Sequence, residues 1–418
     1  MKRLFKYILI LSIFFLPQIC RASNNEFLTE EMLNNPQAGE INLDVNTSEQ
    51  TISEVEDDVD NIENEFGFFD NLGKDEDAKA EESSLLQKVI KTKITRTDIQ
   101  SFLLEDQLTM KYNKGPIDEV QYFMGYRGAI GGFLTPHNYS TKYDNLTTEF
   151  GVFGKFKNPN YDFKLKFRPI PKEGLNYIDN FIGDAYIVNE QIPHHKMITG
   201  YSRVQTGVEG GMSSFVLPFV TRSQIARAFG NSRSLSVKVI GNYNYADYSI
   251  SGGSSGRYIT SGFPGAEFNG WLNIKPFGSH DGKYGKLTLG GGINAGHNRN
   301  DYKVGSMYIG YKHKRLWTNF EAAVADGYSG SEGISDKRAS GLAFTLGWKF
   351  KPYLQLIGRV DSFDPDRHVH NNRRNEYTVG LNWFIKGQAL KFVFNYVYCQ
   401  YQNAPDGHRF IMATQVML

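Results

Sequence analysis

Ten cationic side chains are spaced for one kind of chemistry, the attraction of anions. Lys166, Arg168, Lys238, Lys275, Lys286, Lys349 and Arg359 recur at polar positions of alternating segments, while Arg203, Arg222 and Arg227 fall within residues 203–232. An arginine offers a planar fork that donates two parallel hydrogen bonds to phosphate or carboxylate, whereas a lysine acts as a point charge. Glu209 is the only acid in 203–232, so that stretch is cationic. Lys155, Lys164 and Lys391 extend the pattern against fewer acids, Asp162, Glu321, Asp361 and Glu376. Cations facing a passage with low-dielectric walls concentrate anions, and rings of carboxylates favour cations.

Other chemistry is not legible. Gly290, Gly291 and Gly292 with Gly296 mimic a phosphate-cradling loop, yet they lie inside an alternating segment with no helix after them. Glycines that let a sheet curve fit better. His194 and His195 are adjacent, hence on opposite faces of a strand, and His368 and His370 have no matching acid or cysteine cluster. Asp364 and Asp366 flank Pro365 in a turn-forming triplet. No nucleophile and base pair stands out, and the reading calls for no metal, cofactor or nucleic-acid partner.

The elements that must position these cations follow a period of two from residue 119 onward. Tyr377, Val379, Leu381, Trp383 and Ile385 share one strand face against Glu376, Thr378, Gly380 and Asn382; Phe163, Leu165 and Phe167 oppose Lys164, Lys166 and Arg168. The alternation predicts strands near 119–133, 147–157, 160–169, 182–190, 195–203, 233–241, 243–250, 266–277, 284–295, 301–312, 315–327, 338–350, 353–362, 373–385, 388–400 and 408–418. Every second connection is tight, such as Asn158-Pro159, His313-Lys314, Lys351-Pro352 and Lys386-Gly387, and the others are longer, notably 134–146, 204–232, 251–265 and 363–372. Tight turns on one rim and long loops on the other predict an all-β transmembrane antiparallel barrel of about 16 strands. The segment ending at Leu418, with Phe410, Met412 and Val416 on one face, fits a barrel-assembly signal, although its last residue is not aromatic.

Composition agrees. Aromatic residues make up 14% of the 418 residues and glycines number 42, while the mean hydropathy of −0.42 and the absence of long apolar runs exclude a polytopic helical membrane protein. The net charge of +1 conceals segregation: residues 23–82 hold 19 acids and two lysines, and residues 119–418 hold 34 basic and 22 acidic side chains. Lys2, Arg3 and Lys6 before the apolar run Tyr7–Leu16, with small residues before Ser23, read as a cleaved export signal over 1–22. Cleavage would leave Cys399 as the one cysteine. Residues 23–83 read as an acidic disordered segment and 84–118 as a short amphipathic helix or tether, from Leu86, Val89, Ile90 and Ile94 beside Lys88, Lys91 and Lys93.

On these residues the chain resembles the phosphate-selective porin O and P family. The likeness is most specific in RVQTGVEGGMSSFVLPFVTRSQIARAFG, residues 203–230, and in 361–398, where DSFDPD precedes NEYTVGLNWFIKGQALKFVFNYVY; it is weaker at 125–144 and 283–292. The resemblance implies a sixteen-stranded homotrimeric barrel in the bacterial outer membrane that carries small anions, with Gln205–Ser232 as the third outer loop bent inward to constrict the pore. Arg203, Arg222 and Arg227 would then stand in or beside that constriction. The function expected is passive diffusion of small solutes with a preference for anions such as phosphate; a closed barrel with a loop-borne enzymatic or adhesive role is the alternative.

Overall fold

The computed structural model describes residues 109–112, 114–170, 177–280 and 282–417. The expected export signal, the acidic segment and the helix from residue 84 lie outside the described residues, except that the last part of that helical span is strand. β1 (Thr109–Lys111) pairs antiparallel with Glu119–Gln121.

Sixteen strands then close on themselves. They are β2 (Ile117–Leu134), β3 (Tyr139–Phe156), β4 (Tyr161–Phe167), β5 (Ile182–Asn189), β6 (His195–Arg203), β7 (Arg233–Asn242), β8 (Ala246–Ser254) and β9 (Ala266–Ile274). The second half is β10 (Lys286–Asn298), β11 (Asn300–His313), β12 (Leu316–Gly330), β13 (Gly333–Lys351), β14 (Leu354–Asp364), β15 (Arg374–Lys386), β16 (Leu390–Tyr401) and β17 (Gly407–Met417). Each pairs antiparallel with its neighbours in sequence, and β17 closes onto β2 with Met412 opposite Ile130. Closure satisfies every edge, a requirement in hydrocarbon. β1 continues the place of β17 beside the start of β2, because β17 stops opposite Gly125 and β1 begins opposite Gln121.

The alternation read from the sequence sets which face meets lipid. On β7, Leu235 and Val237 are exposed outward while Ser234, Ser236 and Lys238 are buried inside; on β13, Leu342, Phe344, Leu346 and Trp348 face out against Ala343, Thr345 and Gly347. Aromatic groups ring both ends of the apolar band, as membrane interfaces favour. Trp383 and Phe392 lie 5.7 Å apart near the tight turns, and Tyr396 and Phe410 lie 4.9 Å apart near the long loops.

Two loop expectations need correction. The span 134–146 is not a long connection, because β2 and β3 both run into it and leave only residues 135–138 between them. The outer rim is also uneven: a single residue, Arg299 at φ 65°, joins β10 to β11, and two residues join β12 to β13. Polar and glycine-rich strand ends there pair above the apolar band, which alternation of greasy residues could not reveal. The tight-turn rim has one exception, residues 275–285 between β9 and β10.

Candidate pore constriction

The third outer connection, residues 204–232, folds into the barrel. After a short helix α1 (Tyr177–Phe181) ahead of β5, it carries α2 (Val208–Gly211) and α3 (Gln224–Phe229), and nearly all the side chains of 204–232 are buried. Apolar contacts seat it where the wall offers small inward residues. Ile225, Ala228 and Phe229 pack with Val304, Ala323, Ala325, Ala339 and Ala343, and Phe215 packs with Ala389 and Met417. A Cβ on Gly125 would stand 2.5 Å from the Phe215 ring, and one on Gly341 would stand 2.5 Å from Ile225, so these glycines make the floor on which the loop rests. The triple glycine has the same purpose: Gly290 and Gly292 leave room for the Trp271 indole, which packs with Val208, Met212 and Leu217.

Polar contacts then fix the loop's path. Wall carboxylates accept from its backbone: Glu321 from the amides of Val208 at 3.0 Å and Glu209 at 3.2 Å, and Asp361 from that of Gln224 at 2.7 Å. Asn395 Oδ1 accepts from the Val220 amide at 2.7 Å. Wall cations donate to its carbonyls. Lys391 Nζ reaches Phe215 at 2.7 Å and Leu217 at 3.2 Å, while Arg127 donates to Phe219 at 2.7 Å and to Ser214. Backbone groups buried without such partners would each cost roughly 1–3 kcal/mol, so this ring of side chains is what allows an irregular segment inside a membrane barrel.

The cations singled out in the sequence divide into three groups. Arg222, Arg227 and Arg359 meet at the loop. Arg222 donates to the carbonyl oxygens of Met212, at 2.6 Å, and Glu209; Arg227 pairs with Glu376 at 3.1 Å; Arg359 donates to the Thr221 carbonyl at 2.9 Å, lies 3.4 Å from Glu209 and stacks over Phe219 at 4.6 Å. Arg203 closes the loop's base on Asn231 at 3.0 Å, with Lys238 donating to the Arg203 carbonyl at 2.6 Å. Lys166 and Arg168 belong to a second cluster on the β4–β5 wall: Lys166 contacts Asp184 and lies 3.4 Å from Glu149, and Arg168 donates to Asn180 at 3.2 Å. Lys275, Lys286 and Lys349 sit towards the tight-turn rim. Lys275 pairs with Asp247 at 2.5 Å, Lys349 lies over the Phe384 ring at 5.3 Å, and Lys286 is buried opposite Lys312.

Above the loop lies an outer vestibule of about 600 Å³. Arg168, Arg233, Arg257 and Arg299 line it with Asn180, Asn231, Tyr201 and Tyr258, and none of the described lining residues is a carboxylate. Two acids stand behind these arginines, Asp184 at 2.5 Å from Arg233 and Glu267 at 2.6 Å from Arg257. Burial opposes the Arg257 charge, but Glu267 more than offsets it and holds the guanidinium in its charged form. Arg127, Arg233, Arg257, Arg299 and Arg409 were not singled out in the sequence. Arg127, between the small inward Gly125 and Ala129, and Arg409, between Gly407 and Ile411, keep strand parity, a signal present in the sequence; the other three sit at strand ends and in loops, where parity gives none.

His195 Nε2 lies 2.9 Å from the Tyr248 hydroxyl, and no group of three or more potential ligands occurs among the described residues.

A sixteen-stranded closed barrel with a loop folded into its lumen has the build of an outer-membrane porin channel and places the protein in the bacterial outer membrane. Residues 281–418 match the model of the family "Phosphate-selective porin O and P", so the resemblance holds over the second half of the barrel. Among solved structures the chain is similar to an anion-selective porin from Comamonas acidovorans, with 8% identity and a TM-score of 0.53 over 72% of this chain and 99% of that one. It is also similar to a loop-deletion mutant of OmpT, an outer-membrane protein of Vibrio cholerae, with 8% identity and a TM-score of 0.51 over 72% and 99%. At such identities the likeness is one of fold. A comparison with curated proteins finds no match.

Proposed function

We propose that the channel passes small anions, phosphate among them, by passive diffusion in preference to cations. The observation that carries this reading is the outer vestibule, where, among the described residues, four arginines and no carboxylate line the space. Below it, Lys164, Lys166 and Lys238 continue the positive wall, and the inward acids Glu321, Asp361 and Glu376 are engaged by the loop's amides or by arginines. A cationic approach raises local anion concentration and the rate of capture. Arg203, Arg222, Arg227 and Arg359 add to the field from positions that also hold the loop. Lys275, Lys286 and Lys349 extend it towards the other mouth.

The family resemblance supports a homotrimer, with lipid around the outer faces and small anions as the only other partners; native mass measurement in detergent would show three copies. The decisive experiment for selectivity is the reversal potential of the purified, refolded protein in planar bilayers under a salt gradient, repeated with phosphate. A potential of the sign set by chloride supports the reading, and one set by potassium refutes it.

A further inference from the structure

We propose that the outer vestibule selects an organic oxyanion, a phosphate or carboxylate carried on a small hydroxylated body, over inorganic phosphate. This selectivity rests on the anion preference proposed above. Every outer connection from β4–β5 to β12–β13 contributes to the vestibule. Arg168 and Asn180 flank the first, and Tyr201 and Arg233 stand where the constriction loop leaves and rejoins the wall. Tyr258, Ser261 and Pro264 belong to the β8–β9 loop, Arg299 to the β10–β11 turn and Ile334 to the start of β13.

Size is the first indication. The volume of about 600 Å³ lies within the range of sites that enclose organic ligands, about 300–1,000 Å³. The accessible lining is the second. Arg168 and Arg233 are buried in the wall, and the more exposed side chains include Arg257, Tyr258, Ser261, Pro264, Arg299 and Ile334. Arg233 and Arg257 are each matched by a carboxylate: Asp184 accepts from Arg233 Nε at 2.5 Å, and Glu267 accepts from both Nη groups of Arg257, at 3.2 and 2.6 Å. Arg299 is exposed and takes no partner among the described residues, so its fork is open to one oxyanion. The ring of Tyr258 with Pro264 and Ile334 offers nothing to a bare phosphate. It offers an apolar surface to the C–H face of a ligand's body. Ser261 Oγ accepts from the Tyr258 amide at 3.3 Å and keeps its own proton for a ligand oxygen. Burying about 60 Å² of apolar surface on these residues is worth roughly tenfold in affinity.

The test is equilibrium calorimetry on the full refolded chain in detergent, with a glucose monophosphate, gluconate, inorganic phosphate and glucose as ligands. The glucose monophosphate, gluconate or both should bind about tenfold tighter than phosphate, and glucose should not bind. Two variants assign the parts. Arg299→Asn removes the open fork and keeps the turn, because asparagine tolerates the left-handed backbone at φ 65°; it should weaken the anions alike, by at least roughly tenfold. Tyr258→Ser with Ile334→Ser should bring the organic anions down to the affinity of phosphate and leave phosphate itself unchanged. Phosphate binding as tightly as both organic anions overturns the inference, and so does an unchanged ratio in the Tyr258 and Ile334 variant. Glucose binding as tightly as its monophosphate also overturns it, because Arg299 would then hold nothing. The reversal potential reads the anion preference separately. A potential set by chloride beside any of these failures removes the organic selectivity alone, whereas one set by potassium removes the anion preference on which it rests.

Discussion

Replacing Arg222 with alanine should loosen the constriction loop without harming the barrel. The guanidinium is 1% exposed and donates to the carbonyl oxygens of Glu209 and Met212, tying the segment around α2 to the segment before α3. Two charge-assisted hydrogen bonds contribute about 1.5–3 kcal/mol each. Water entering the vacated space will recover part of this, leaving a net loss of about 2–3 kcal/mol. Every 1.4 kcal/mol is tenfold in an equilibrium, so the ratio of anchored to released loop should fall by roughly 30- to 140-fold. The strand pairs of the wall do not involve Arg222, and the unheated protein should keep the gel mobility of a folded barrel. Single-channel recording is the assay: the variant should show excess open-channel noise and sublevels that the parent lacks. A current as quiet as the parent's, accompanied by a collapse of anion preference, would refute the anchoring role and make Arg222 a solute contact.

Three further outcomes are expected. Arg168→Ala with Arg299→Ala, both at the vestibule, should lower the chloride-to-potassium permeability ratio roughly threefold, since a surface potential of several kT is shared among a few charges; an unchanged reversal potential would exclude these arginines from selectivity. Glu376→Gln leaves Arg227 and Arg409 without the carboxylate both contact, a loss of about 3–5 kcal/mol for a buried pair, and should lower refolding yield more than the triple change Arg227→Met, Glu376→Leu and Arg409→Met does. Leu346→Arg places a charge on the lipid face and should cost about 2–4 kcal/mol in folding into vesicles, whereas Lys349→Arg, at an inward position of the same strand, should fold normally.

Much of the barrel was legible because lipid on one side and polar groups on the other enforce a period of two. All sixteen strands appear, most within a few residues of their expected places, although β3 already begins at Tyr139 and β13 at Gly333, and Lys164, Lys166, Lys238, Lys275, Lys286, Lys349, Arg359 and Lys391 all face inward as parity required. The rim lengths were harder to read. Residues 296–300 and 327–337 contain few apolar side chains, so their pairing is decided by backbone hydrogen bonds above the membrane and leaves no greasy pattern. The constriction loop was placed correctly, but the partners of its arginines were not. Contacts such as Arg222 to the Met212 carbonyl, or Arg227 to Glu376 on β15, join residues whose proximity depends on how an irregular segment folds back across the lumen.

Anchoring a loop and setting selectivity are compatible tasks for one cation. A hydrogen bond to a carbonyl oxygen satisfies the donor but carries no opposing net charge, so these contacts do not cancel the charge that Arg127, Arg222 and Lys238 bring to the lumen. An ion pair cancels charge at a distance, and the partners Arg227 and Arg409 share the single carboxylate of Glu376, leaving an excess of one. The two tasks separate in the conservative variants. Arg222→Lys keeps the charge but replaces the fork that spans two carbonyls with a point donor, so noise should rise while the reversal potential holds. Arg222→Met removes both, so noise should rise and the reversal potential should shift towards the cation. Identical reversal potentials in the lysine and methionine variants would show that charge at this position is screened from the ions, and the positive field would then reside in the vestibule and the β4–β5 wall alone.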